Sequence, residues 1–192
     1  MDAAHDYAAA IRYLHNTFPA YVGYVQRMHA KIGPIVKDEE DAVVVRTSDG
    51  KVVSGKNATV TIAPGQGFSG NIVLTSPFNP ACHAPVGATR ENFEGAAAEA
   101  IELRGTCAHG RDEPDFTTLY IDPRTQEPLG VVGGTNDRDV RVHLEETFRR
   151  IGERLLPAHF SVSVKGKNFF LGWLDVVAQI DFSRYRFLDR ES

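Results

Sequence analysis

Residues 60–75 read VTIAPGQGFSGNIVLT, and Gly65-Gln66-Gly67-Phe68-Ser69-Gly70 within them is a literal G-x-G-x-x-G. In a dinucleotide-binding unit a strand enters this motif, and a helix leaves it with its first N–H groups aimed at phosphate. The entry side fits, because Thr59-Val60-Thr61-Ile62 has strand character. The exit side does not. Asn71-Ile72-Val73-Leu74-Thr75 is short, β-branched and closed by Pro77, so it reads as a second strand, and Pro64-Gly65 marks the turn between the two. Strand, Gly-rich turn, strand is a hairpin, and the chain belongs with antiparallel β proteins instead of parallel α/β ones.

Outward from this hairpin the same pattern continues. Val22, Tyr24, Met28, Ala30 and Ile32 alternate with Arg27, His29 and Lys31, as in a half-buried strand. Lys37-Asp38-Glu39-Glu40-Asp41 reads as a solvated turn. Asp49-Gly50 between two valine-rich runs signals another hairpin. Phe116–Ile121, a turn at Asp122-Pro123, and Leu129–Val132 give strand, type I turn and strand. Residues 140–156 fit a strand, a turn at Gly152-Glu153 and a strand, although Leu144, Phe148, Ile151 and Leu155 also have helical spacing. Phe160–Val164 alternates, Gly166-Lys167-Asn168 turns the chain, and a long strand runs from Phe169 to Phe182.

Two segments depart from β spacing. In residues 2–18, Tyr7, Ile11, Leu14 and Phe18 recur at helical intervals up to Pro19. Thr89 stands where it would cap a short helix carrying Phe93, Ala97 and Ile101, with residues 101–104 equally compatible with a strand. The expectation is a single domain over 1–192, with an N-terminal helix at about 2–18 and a β-meander over about 21–188. That meander has roughly nine to eleven strands, and such a sheet must curl or close to bury one face.

Hydrophobic residues make up 42% and charged residues 24%, an ordinary globular balance for 192 residues. The net charge of −4 and the lack of a long basic run give no reason to expect nucleic acid as a partner. No apolar run is long enough to read as a transmembrane segment. The opening MDAAHDYAAA is acidic and does not resemble a signal peptide, which leaves a cytoplasmic protein or the mature part of an exported one.

No catalytic constellation emerges. There is no H-E-x-x-H, and Gly67-Phe68-Ser69-Gly70 misses a nucleophile elbow by one residue. His5 and His15 fall on the helix, and His29 and His143 on polar strand faces, where a histidine is usually a surface residue. Asp112, Glu113 and Asp115 flank Pro114 in a loop-like stretch without an arguable paired-carboxylate geometry. Cys82-His83 and Cys107-Ala108-His109 could together hold zinc, but neither half has metal-ligand spacing. Free thiols are another option, and in an exported protein a Cys82–Cys107 disulfide is simpler, worth ~3 kcal/mol by loop closure. No cofactor is expected.

The apolar surface is more telling. Phe169, Leu171 and Trp173 share one side of a strand whose other side carries Phe170, Leu174 and Val176. A strand apolar on both faces must be covered on both. A helical lid can cover one face and a bound apolar ligand the other, though packing as plain core is an alternative. Candidate cavity residues are Phe169, Leu171 and Trp173, with Tyr24 and Met28.

Leu119-Tyr120-Ile121-Asp122-Pro123-Arg124-Thr125-Gln126-Glu127-Pro128-Leu129 resembles the strand–turn–strand "lwvDp.t..pl" of the LolA/LolB-like lipoprotein-carrier superfamily. Phe148–Pro157 resembles the group's next hairpin, which ends in "lP", and Asp181–Phe187 is similar to its "y.dyr.f" finish. The match covers about 116–188 and does not extend over 60–115. The resemblance implies an unclosed antiparallel β-barrel with a helical lid over an apolar cavity. It further implies a non-enzymatic, periplasmic or otherwise exported carrier, with lipid or acylated protein as cargo and envelope proteins as further partners. The alternatives are a ligand-free envelope module and a metal-dependent enzyme using Cys82, His83, Cys107 and His109.

Overall fold

The computed structural model describes residues 2–56, 60–63, 66–68, 71–74, 76–107, 115–136, 140–168 and 172–190, with only the backbone described over 60–63, 66–68, 167–168 and 172–174 and at 136. One helix, α1 (Ala3–Ile11), precedes twelve described strands: β1 (Tyr21–Ile32), β2 (Ile35–Arg46), β3 (Val52–Ser54), β4 (Val60–Ala63), β5 (Gln66–Phe68), β6 (His83–Phe93), β7 (Ala96–Gly105), β8 (Asp115–Ile121), β9 (Pro128–Asn136), β10 (Val140–Ile151), β11 (Arg154–Asn168) and β12 (Gly172–Leu188). Ten form one antiparallel sheet in the order β3-β2-β1-β12-β11-β10-β9-β8-β7-β6. β3 and β6 remain unjoined edges, so the sheet is curled but open, with α1 on its concave side.

The opening motif is a hairpin. β4 pairs with β5 through Val60↔Phe68, Thr61↔Gly67 and Ala63↔Gln66. The returning strand is Gln66–Phe68, however, and not 71–75. Asn71–Leu74 is a turn, because Asn71 Oδ1 accepts the N–H groups of Val73 at 3.1 Å and Leu74 at 3.3 Å and folds the backbone on itself. Thr75 lies outside the described residues.

Other departures also have local causes. The helix stops at Ile11 and tightens into a 3₁₀ turn, Arg12–Leu14. Beyond it, the Asn16 side chain pairs like a strand with Leu155, donating to its carbonyl at 2.6 Å and accepting from its N–H at 3.1 Å. Residues 37–41 are in β2 and not in a turn; the chain reverses at Gly33, whose φ is +57°. Their charges are spent across strands: Arg27–Glu40 at 2.6 Å, His29–Asp38 at 2.7 Å. The helix expected from Thr89 is the β6–β7 hairpin. Its Glu94-Gly95 turn has φ of +49° and +82°, the left-handed pair that a two-residue type I′ turn requires. The alanines of 96–100 favour a helix only weakly, and sheet pairing overrides them. Gly166-Lys167-Asn168 continue β11 instead of turning, and β12 runs to Leu188, beyond Phe182.

The inward faces make one core. Val22 and Tyr24 of β1, Val43 and Val45 of β2, Ile101 of β7, Leu119 of β8, Leu144 of β10, Phe160 and Val162 of β11, and Ile180 and Phe182 of β12 join Tyr7 and Ala10 of α1 and Ile72, Val73 and Phe78 of the 71–82 segment. That segment is a plug, laid inside the curl beside the helix.

Candidate ligand cavity

The plug has almost no ladder of its own, so side chains hold it. Asn71 donates to the Tyr24 hydroxyl at 2.7 Å in a buried contact. Tyr24 sits against Phe182 and Tyr185, with ring centroids 5.9 and 6.0 Å away. Burial pushes its phenol up to about 12, against the opposing Asn71 hydrogen bond. Further along, Ser76 Oγ donates to Glu146 Oε2 at 2.5 Å and accepts the Phe78 N–H at 3.0 Å. Tyr7 of α1 donates to the Pro80 carbonyl at 2.9 Å, joining helix and plug.

At its end the plug is clamped to the β6–β7 side. The Phe78 ring packs 5.0 Å from the His83 ring and edge-on to Phe116. His83 Nδ1 is 2.8 Å from the Asn79 carbonyl oxygen and Nε2 is 2.7 Å from Asp115 Oδ1. Cys82 and Cys107 form a disulfide, with Cα atoms 4.9 Å apart. Both sulfurs and both His83 nitrogens are therefore committed, which removes the Cys82/His83/Cys107 zinc centre; His109 lies outside the described residues. Among the described residues, no group of three metal-binding side chains converges.

Two carboxyls lie on the concave side beneath these elements. Glu146 is fully buried on β10 with Oε1 unbonded. Burial pushes it up to about 8, with the Ser76 and Phe78 hydrogen bonds opposing, so it is mostly protonated at neutral pH. Glu99 on β7 is pushed up by burial first, and then by its hydrogen bond and charge repulsion with Asp6 of α1. Asp6 in turn accepts from Gln126 at 2.7 Å.

Between the plug, the end of the α1 segment and the β10–β11 hairpin is a cavity of about 410 Å3. Its apolar wall includes Leu14, Phe18, Ile72, Phe78, Phe148 and Leu155, and its polar residues are His15, Asn16, Ser76 and Asn79. That size and its mixed apolar and polar lining suit a small amphiphile. A second depression, about 500 Å3, is formed by Val25, Ala42, Arg184, Tyr185 and Arg186. Its lining is mainly apolar, although two of its five residues are arginines.

Of the residues singled out in the sequence, Tyr24 is buried one hydrogen bond behind the plug, and Met28 packs half-buried on the core. Neither lines the 410 Å3 cavity. Trp173 pairs with Lys167 in the β11–β12 ladder, and Phe169 and Leu171 lie outside the described residues. Sequence reasoning missed Glu146, Ser76 and the plug residues. One signal was available: Val142, Leu144 and Phe148 alternate inward, and Glu146 occupies the position between them.

The chain shares its fold with a solved protein. A DUF1329 family protein from Desulfovibrio piger is similar over 100% of this chain and 96% of its own, at 13% identity and TM-score 0.51. A LolA superfamily protein from Nitrosomonas europaea is similar over 100% of this chain and 96% of its own, at 12% identity and TM-score 0.47. A domain assigned to outer-membrane lipoprotein sorting, from Vibrio parahaemolyticus, is similar over 99% of this chain and 92% of its own, at 11% identity and TM-score 0.48. At these identities the likeness concerns fold alone, the open antiparallel sheet shared with the Desulfovibrio piger protein. No family model and no curated protein sequence matches the chain.

Proposed function

We propose that the protein binds or carries a lipid or a lipoprotein acyl chain in the bacterial envelope, without catalysing a reaction. The observation that carries this reading is the partly apolar cavity, walled by Leu14, Phe18, Ile72, Phe78, Phe148 and Leu155, between the helix-and-plug lid and the open sheet. Burying a chain there gains ~0.8 kcal/mol per methylene, so few polar contacts are needed. The disulfide favours an oxidising compartment, the periplasm or beyond. Among the described residues no helix is long and apolar enough to cross a membrane. Phe169, Leu171 and Trp173, with Tyr24 and Met28, are proposed to extend the apolar surface when the lid moves.

Organic extraction of the purified full chain, followed by lipid mass spectrometry, tests the reading. A stoichiometric acyl compound is the expected result. Protein that extracts clean, and that takes up no acyl ligand when supplied with one, overturns it.

A further inference from the structure

Five large hydrophobic side chains are exposed among the described residues, and three of them sit in one turn. Ile32, Ile35 and Val36, at 52%, 67% and 54% exposure, flank Gly33-Pro34 between β1 and β2. Single exposed aliphatics are ordinary, whereas a cluster of them marks a contact surface. None of the three packs on the core. A polar turn would close this hairpin equally well, because Gly33, with φ of +57°, makes the reversal.

The turn is held in place. Ile32 pairs with Ile35 across the hairpin and with Val176 of β12 on its other side. The Gly33 N–H donates to the Asp175 carbonyl at 3.1 Å. The aliphatic cluster is therefore presented by a paired ladder end, so its ordering is paid before any partner arrives.

Four of the chain's six lysines stand at this same end of the sheet. Lys31 and Lys37 flank the turn, and Lys165 and Lys167 are near the end of β11. The registers bring them together, because Ile32 meets Val176 and Lys165 meets Asp175 on one strand, β12. Lys165 is thus two strand spacings, about 10 Å, from β1. Lys37 is held by Glu39 at 2.8 Å, and Asp38 by His29 at 2.7 Å. Lys31 and Lys165 are exposed and make no ion pair among the described residues. Asp175, opposite Lys165, is the acid left beside them. Next to the turn, Lys37-Asp38-Glu39-Glu40-Asp41 runs along the part of β2 that has β1 on one side and no strand on the other among the described residues. Charges on such an edge oppose pairing with another protein strand.

We infer that this end of the sheet docks on a bilayer surface carrying anionic lipid, with Ile32, Ile35 and Val36 entering the headgroup layer and Lys31 and Lys165 meeting the lipid phosphates. Apolar side chains beside lysines bind such a surface through two additive terms, burial and attraction to anionic heads. Lysine suits the second role, since its stem lies along the apolar patch while its ammonium reaches outward. The docking goes beyond the acyl-binding reading and is independent of it, because none of these residues lines the 410 Å3 cavity.

The test is co-sedimentation of the full chain with vesicles of phosphatidylcholine alone and of phosphatidylcholine mixed equally with phosphatidylglycerol. The wild type is expected to bind the mixed vesicles at least about tenfold more tightly, at roughly fivefold for each free lysine, and to release them as salt rises. Lys31→Gln/Lys165→Gln should remove most of that preference. Ile32→Thr/Ile35→Thr/Val36→Thr keeps the β-branched backbone preference, and should weaken binding to the mixed vesicles at least about tenfold with the thermal midpoint unchanged. A wild type that ignores the mixed vesicles, or binds both kinds equally, overturns the inference without any variant having to fold. Full binding by the folded threonine variant overturns it too, since the contact is then elsewhere, the cavity included. Self-association through this turn in place of vesicle binding makes a second copy the occupant and also overturns it. Protein that sediments as expected but extracts clean and takes up no acyl ligand keeps the docking and loses the carrier reading, so the two fail separately.

Discussion

The sheet wall and the plug enclose the same interior, but they are built on different principles. The wall, β8 to β12 with β1, is an antiparallel ladder, broken only at a few bulges, in which neighbouring strands satisfy each other's backbone and side chains largely alternate inward. The plug, 71–82, has one short 3₁₀ turn and is fixed from distant parts of the chain by Tyr24, Glu146, Tyr7 and a disulfide to Cys107. Ladders distribute stability over many equivalent contacts. A segment held by a few side chains can be released by changing one of them. In a binding protein that difference divides frame from gate: the wall keeps the shape, and the plug is the part that ligand entry can move.

The largest expected effect lies in the wall. Phe160, 0% exposed at the centre of β11, truncated to alanine should cost ~3–5 kcal/mol of global stability in urea unfolding, with all probes changing together. A loss confined to the plug would break the division. Reducing the disulfide should cost up to ~3 kcal/mol by loop closure, and the change in hydrogen-exchange protection should concentrate around residues 76–83. Equal loss of protection along β10 and β11 would show that plug and wall unfold as one unit.

The pH dependence sharpens the contrast. Glu146 has its carboxyl raised from the ordinary 4.5 to about 8. The folded state therefore holds a proton that the unfolded state has released over that window. Stability from this group is complete below about 4.5, and declines as pH rises through 8 by at most ~1.4 kcal/mol per unit. Glu146→Gln keeps the shape and a donor-acceptor head without the titration, so its stability curve should be flatter between those limits. An unchanged slope would place the titrating group elsewhere. Asn71→Ala, which strands the Val73 N–H group and removes the bond to the Tyr24 hydroxyl, should cost ~1–3 kcal/mol and loosen the plug ahead of the sheet. Least of all, exchanging Arg27 and Glu40 for alanine removes an exposed cross-strand pair and should leave the thermal midpoint unchanged within error.

The same division separates what could be read from what could not. Alternation at Val22-to-Ile32, Phe160-to-Val164 and Val142-to-Phe148 is a local signal, because a half-buried strand carries its inside and outside in its own sequence. Asp49-Gly50 and Gly152-Glu153 mark reversals by backbone freedom alone. The β1–β12 pairing is different: Met28 meets Ile180 only because the sheet curls its first strand onto its last. No residue near Met28 encodes that. Residues 37–41 misled for a related reason. Five charges in a row look like solvent until cross-strand partners such as Arg27 and His29 stand opposite. Glu94-Gly95 was a legible turn outweighed by the alanines after it.

Sequence alone determined the β class, the hairpin nature of the Gly-rich motif, the leading helix and the cysteine pair worth suspecting. Each follows from spacing along the chain or from the steric needs of individual residues. Tertiary structure decided where the helix lies, that the segment around Ile72, Val73 and Phe78 packs into the interior, and that Glu146 is fully buried beside Ser76. Those properties belong to groups far apart in the chain, such as Ser76 and Glu146. Burial and electrostatics act through space, so no pattern confined to neighbouring residues can hold them.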